Sequence, residues 1–185
     1  MRLFTSFCIL FIALPCTATQ EWVADASNSS IKFIASYDGS EFEGQFVRFT
    51  SHFTIDTDNS GNSQLKSTID VTSADTKSRD RDEALAEPDW FYFSKFPQAT
   101  FISQSIRKLS EDQLEIKGLL KIRDQQKEIT FPMQWQAIDD KLRLAQASIP
   151  LDRRDYNIGL GEWLEDDTIG FEVRVVFSLM YEKTN

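Results

Sequence analysis

The stretch Ile169-Gly170-Phe171-Glu172-Val173-Arg174-Val175-Val176-Phe177-Ser178-Leu179-Met180-Tyr181 decides the fold. Its apolar side chains recur at every second position from 169 to 181, a period that puts them on one side only if the chain is extended. The same period runs back through the sequence. Ile129, Phe131, Met133 and Trp135 stand opposite Glu128, Thr130, Gln134 and Gln136, and before them Leu114, Ile116, Gly118, Leu120 and Ile122 share a face. A strand is read from Ala99 to Ser105, and one of ambiguous facing from Lys141 to Leu151. Nearer the start, Ile31, Phe33, Ala35 and Tyr37 alternate with Lys32 and Ser36. Phe42, Gly44 and Phe46 alternate with Glu43 and Gln45, and Asp38-Gly39-Ser40 between the two runs is a hairpin signal. Phe49, Phe53 and Ile55 follow, then the turn Asp58-Asn59-Ser60-Gly61-Asn62, then Leu65, Ile69 and Val71.

The period changes once, between Asp75 and Pro97. Asp80 and Glu83 have the spacing of a capping box, Ala84, Leu85 and Ala86 favour helix and Pro88 stops it, which predicts one short helix over Arg79 to Glu87 that covers a barrel end. Consecutive strands with short turns and no βαβ alternation predict an all-β, antiparallel sheet of about eight strands that closes on itself, because closure removes exposed edges. A flattened sandwich uses the same pattern. The 15 Phe and 4 Trp of the chain favour a barrel with a lined interior over two closely packed sheets.

The N-terminus has the three parts of a secretory signal: Met1-Arg2, a greasy run from Leu3 to Leu14, and Pro15-Cys16-Thr17-Ala18 with small residues for cleavage. Cleavage is expected after Ala18, leaving residues 19–185 as one domain. A lipid-anchored alternative would acylate Cys16, where Pro15 is a poor predecessor. The greasy run is shorter than the roughly 20 residues a spanning helix needs, so no stable membrane insertion is expected. Both cysteines, Cys8 and Cys16, lie in this leader, so the processed chain would carry no thiol into an oxidising compartment. The formal charge of −9 becomes one unit more acidic without Arg2, which opposes nucleic acid as a partner.

Catalytic constellations are hard to assemble. His52 is the only histidine and falls on a polar face, so neither a multi-histidine metal site nor a Ser-His-Asp triad is expected. The acidic group Glu162, Glu165, Asp166 and Asp167 has the residue types of a glycosidase pair or a calcium site, and reads equally as a solvated loop. The run Arg153-Arg154-Asp155-Tyr156 offers an arginine for a phosphate or carboxylate, or else an Arg153–Asp155 pair that only fixes the loop. Arg79 and Arg81 carry the same two readings, Arg81 and Asp82 being the residues that would anchor the helix.

Taken together, several segments resemble the YceI-like proteins. They are Trp22-Val23-Ala24-Asp25, Ser29-Ser30-Ile31-Lys32-Phe33, Phe42-x-Gly44-x-Phe46, Ile69 to Thr76, Arg81-Asp82 with Leu85, Trp90-Phe91, Lys95-Phe96-Pro97-Gln98-Ala99-Thr100-Phe101, Leu151 to Gly159, and Gly161-Glu162-Trp163. The resemblance implies a lipocalin-like barrel, a periplasmic location and a polyisoprenoid or quinone-type lipid as ligand, with no catalysis and no cofactor other than such a lipid. Phe33, Phe42, Phe46, Phe53, Phe91, Phe101, Ile122, Phe131, Trp135, Ile158, Trp163, Phe171 and Phe177 are then the expected apolar lining, and Arg153, Asp155 and Tyr156 the expected polar end. Two positions depart from the family pattern: Asn28 where a His is usual, and Arg123 to Glu128 where a Gly-Val-Thr-x-Pro turn is usual. A filled barrel that binds another exported protein through Tyr156 to Trp163 remains the alternative, and whether two chains pair is left open.

Overall fold

The computed structural model describes residues 19–56, 60–165 and 168–184; the expected leader, the tip of the Asp58-Asn59 turn, and Asp166 and Asp167 lie outside the described residues. Eleven strands form one antiparallel sheet: β1 Thr19–Ala24, β2 Ser30–Tyr37, β3 Ser40–Phe46, β4 Phe49–Asp56, β5 Gln64–Asp70, β6 Ala74–Asp75, β7 Gln98–Lys108, β8 Gln113–Ile122, β9 Gln125–Ala137, β10 Leu142–Asp152 and β11 Glu172–Lys183. Three pairs of them are single strands with a kink. β1 and β2 run consecutively along the same edge of β11, from Trp22 opposite Lys183 to Ile34 opposite Arg174. β3–β4 and β5–β6 continue one another in the same way along their neighbours. Counted so, the barrel is an eight-stranded meander in which every strand pairs with its sequence neighbours and the last, β11, closes on the first.

The kinks have local causes. Asp25 turns the chain between β1 and β2 by accepting from the Ser27 amide at 2.9 Å, and Asn28 donates its side-chain amide to the same carboxylate. Asn28 is exposed at this kink and is no part of an interior wall, so the departure from the family's His changes a turn. The other two kinks are stitched together: the Arg48 amide donates to Ser73 Oγ at 2.9 Å and its guanidinium pairs with Asp70 at 2.8 Å. Asp70 also caps the short turn Val71–Ser73, and its hydrogen bond from Thr72, ahead of the Arg48 charge, holds its carboxyl below the usual range.

Period two identifies the inward face along the whole ring. It also resolves β10, whose inward residues are Arg143, Ala145, Ala147, Ile149 and Leu151; two alanines and an arginine in an apolar row explain why its facing is ambiguous in sequence. A bulge in β7 at Ser103–Ser105 turns Ser103 Oγ to accept from the Leu65 amide. Gly44 lies under the ring of Phe33, and a Cβ there would overlap that ring. Gly44→Ala is expected to destabilise the barrel by about 1–3 kcal/mol through this overlap, read by chemical denaturation; an unchanged midpoint would contradict the packing described.

The helix α1 spans Arg79–Ala86. Its N-cap is Ser78, without a side-chain cap, so Asp80 and Glu83 do not form the capping box their spacing suggests; Glu83 instead pairs with Arg79 at 2.7 Å.

Candidate functional site

The barrel has two halves. Toward the end where Trp22 pairs with Phe53, the interior is solid. Trp135 packs edge-on against Trp22 at 5.7 Å, Phe53 at 4.8 Å and Tyr181 at 5.3 Å, with Met133 and Ile116 fully buried beside them. Above this plug the same inward rows enclose a cavity of about 570 Å³, within the range of about 300–1,000 Å³ typical of small-molecule sites. Its wall holds Phe33 and Phe46 in tilted contact, and Phe101, Phe131 and Phe177 in a chain of tilted and edge-to-face contacts, with Ile31, Leu120, Ile122, Ile129, Val173 and Val175 completing it.

A cap closes much of the upper end. Helix α1 and the segment after it bring Leu85, Trp90 and Phe91 over the cavity, Phe91 meeting Phe46 at 6.0 Å. This cap is sewn to the loop beyond β10: Gly159 and Leu160 amides donate to the Asp89 carbonyl at 2.7 and 3.0 Å, and Trp90 stacks near Trp163 at 5.6 Å. Arg123, in the β8–β9 turn, donates to the carbonyls of both Trp90 and Asn157. The turn that replaces the family's usual one is therefore a clamp on the cap as well as a rim.

Most of the expected lining residues stand on this wall: Phe33, Phe42, Phe46, Phe91, Phe101, Ile122, Phe131, Ile158, Trp163 and Phe177. Three do not. Phe53 and Trp135 belong to the plug, because period two gives the inward face but not the level along the barrel. Phe171 precedes β11 and lies under the guanidinium groups of Arg154 and Arg153, at 3.7 and 5.2 Å from its ring centre.

The expected polar end is also rearranged. Arg153 is only 2% exposed. Its guanidinium donates to six backbone carbonyls, those of Ile158, Gly159, Trp163, Glu165, Ile169 and Gly170. It acts as a fixed cation around which the loop folds, and all five of its N–H groups are committed to that task. Asp155 does not pair with it but with Lys127, at 3.3 Å on the surface. Tyr156 does line the cavity; burial, then the Asp155 charge, push its phenol up to about 12. A tyrosine that keeps its proton in the fold but loses it near pH 10 when unfolded favours the native state fully below pH 10, and loses that contribution as pH rises toward 12. Stability is thus expected to be level from pH 7 to 9 and to fall from about pH 10, with Tyr156→Phe softening the fall in a denaturation series.

Other polar side chains on the wall come from α1 and the residues before it, Thr76, Ser78, Asp80 and Arg81. Arg81 donates to the Thr76 carbonyl at 2.9 Å and lies over Phe42, 4.8 Å from its ring centre, while Asp82 accepts from the Thr76 amide and hydroxyl. These contacts anchor the helix across the barrel end. His52 is exposed, as are Glu162 and Glu165; among the described residues no three His, Cys, Asp or Glu side chains converge as metal ligands, and no helix is long and apolar enough to cross a membrane.

Residues 22–181 match the model of the YceI-like domain. The chain belongs to the YceI-like family. Protein YceI of Escherichia coli O157:H7 is 38% identical over 88 residues, 48% of this chain and 46% of that one, and its counterpart in Salmonella arizonae is 36% identical over the same length. The aligned part thus spans about half the length of these curated relatives. Among solved structures, Burkholderia cenocepacia BcnA superposes with a TM-score of 0.80 at 26% identity, covering 85% of this chain and 98% of its own. A polyisoprenoid binding domain from Saccharophagus degradans superposes at 0.73 with 20% identity, covering 88% and 98%, and shows the shared fold.

The expected lining omits several residues that the structure places on the wall, Ile31, Ile129, Val173 and Val175 among them by simple parity, and two others are more instructive. Trp90 reaches the cavity from the cap, where no period exists to reveal it. Ser67 sits at inward parity between Leu65 and Ile69, and a hydroxyl in an apolar row was the available signal.

Proposed function

We propose that this YceI-like protein binds and carries a long-chain apolar lipid of isoprenoid type in the upper half of its barrel, without covalent chemistry. The observation that carries the reading is the 570 Å³ cavity walled by aromatic and branched aliphatic side chains. At roughly 0.8 kcal/mol for each buried methylene, one five-carbon isoprene unit contributes on the order of 3–4 kcal/mol before the costs of binding. The wall therefore supplies affinity with few polar contacts. The Saccharophagus degradans neighbour, a polyisoprenoid binding domain, supports the same ligand class. The leader Met1–Ala18 supports export and cleavage after Ala18, and a periplasmic place of work.

The test is a titration of lipid-stripped protein with a four-isoprene alcohol, followed by tryptophan fluorescence, since Trp90 and Trp163 both border the cavity. Saturable binding at one site per chain is expected. A flat titration, with the protein folded, would overturn the reading.

A further inference from the structure

The floor of the cavity is made by the top of the plug, and it is not wholly apolar. Tyr181 and Ser67 both line it. Tyr181 Oη lies 2.5 Å from Ser51 Oγ, and Ser51 Oγ lies 2.6 Å from Ser67 Oγ. Three hydroxyls carry three protons, and the two contacts use two of them. One O–H is left over, and its place can be deduced. On Tyr181, which is 1% exposed, it would be a buried donor without an acceptor; on Ser51, which is 0% exposed, the same holds. Such an orphan costs about 1–3 kcal/mol. Tyr181 borders the cavity too, but at 1% exposure it is almost wholly enclosed, whereas Ser67 is half-buried and has room to turn its hydroxyl into open space. Tyr181 therefore donates to Ser51, Ser51 donates to Ser67, and Ser67 turns its O–H into the cavity. Burial holds the Tyr181 phenol far above its ordinary range, which keeps the relay protonated at any working pH.

We infer that the cavity floor is a hydrogen-bond donor subsite, and that the ligand enters with a neutral, oxygen-bearing end first, a carbonyl, ether or hydroxyl oxygen accepting from Ser67. An anionic end does not fit there, because burying a carboxylate or phosphate requires a paired cation. The two arginines on the wall, Arg81 and Arg153, belong to the capped end and are engaged with Thr76 and with the loop carbonyls. The floor has donors and no charge. The cavity of about 570 Å³ has the size of a small-molecule site and leaves room for an isoprenoid chain behind that oxygen.

This inference rests on the lipid-binding reading above, and the test separates the two. Wild type and Ser67→Ala are titrated with a four-isoprene hydrocarbon, the methyl ketone of the same chain and the corresponding carboxylate. The ketone-to-hydrocarbon affinity ratio is expected to fall about tenfold in Ser67→Ala, and Ser67→Thr to restore the ratio. The carboxylate gains nothing from Ser67. Infrared spectra of the bound ketone add a direct signature: its carbonyl stretch lies at lower wavenumber in wild type than in Ser67→Ala. An unchanged ratio with an unshifted stretch overturns the inference while leaving the lipid reading standing. Failure of both the hydrocarbon and the ketone to bind wild type overturns both.

Discussion

Replacing Arg153 by alanine is expected to cost the fold about 3–5 kcal/mol, the range for removing one partner from a buried charged network. For a domain of this size that lowers the melting temperature by roughly 10 °C or more. The reason is geometric. Six carbonyls from Ile158 to Gly170 point at one guanidinium, and without it their dipoles face each other in a site from which water is excluded. Gly159 is part of the same device: its φ of +75° is open to glycine, and a Cβ there would collide with Arg153 Nη1. Lysine cannot substitute, since an ammonium offers three donors on a point and the loop is built around a planar fork. Thermal melts of Arg153→Ala and Arg153→Lys check this, and a shift below about 2 °C in both would show that the loop holds without its cation.

The second large effect is on binding. Val175 stands on the cavity wall at mid-height, beside Phe33 on β2 and Ile149 on β10. Val175→Trp puts an indole into the space assigned to the lipid, so affinity for the four-isoprene alcohol is expected to fall at least a hundredfold. Stability of the lipid-free protein should hold or rise, because the added ring gains contacts in a cavity rather than in close-packed core. Equal affinities in the two proteins would mean that the ligand lies outside the barrel. Loss of folding would show that the cavity is smaller than 570 Å³ in solution.

Much of this architecture is legible in the sequence. Period two gave the strands and their faces, since a residue's parity fixes which side of a barrel it occupies. It did not give height. Phe53 and Trp135 have the same parity as the wall residues and yet fill the plug, and no local property separates them from Phe33 or Phe131. Phe171 shows a different limit: its parity matches Val173 and Phe177, but the regular strand starts at Glu172, and one residue before it the side chain is held under two arginines. The kinks at Asp25 and at Val47-Arg48 also break the parity count without a glycine or proline to announce them. Arg153 stands out in the sequence as a candidate and its partners do not, because the six acceptors are main-chain carbonyls that any sequence supplies. Ser67 needed both levels: its parity was readable, and its role follows only from Tyr181 and Ser51 being distant in sequence and adjacent in the barrel.

Native mass spectrometry of the protein purified without detergent from the cell envelope tests the central claim most directly. One lipid-sized adduct per chain is expected, lost on solvent extraction, recovered in the extract as an isoprenoid, and absent from Val175→Trp prepared in parallel. A bare polypeptide mass that stays bare after incubation with four-isoprene lipids would contradict it.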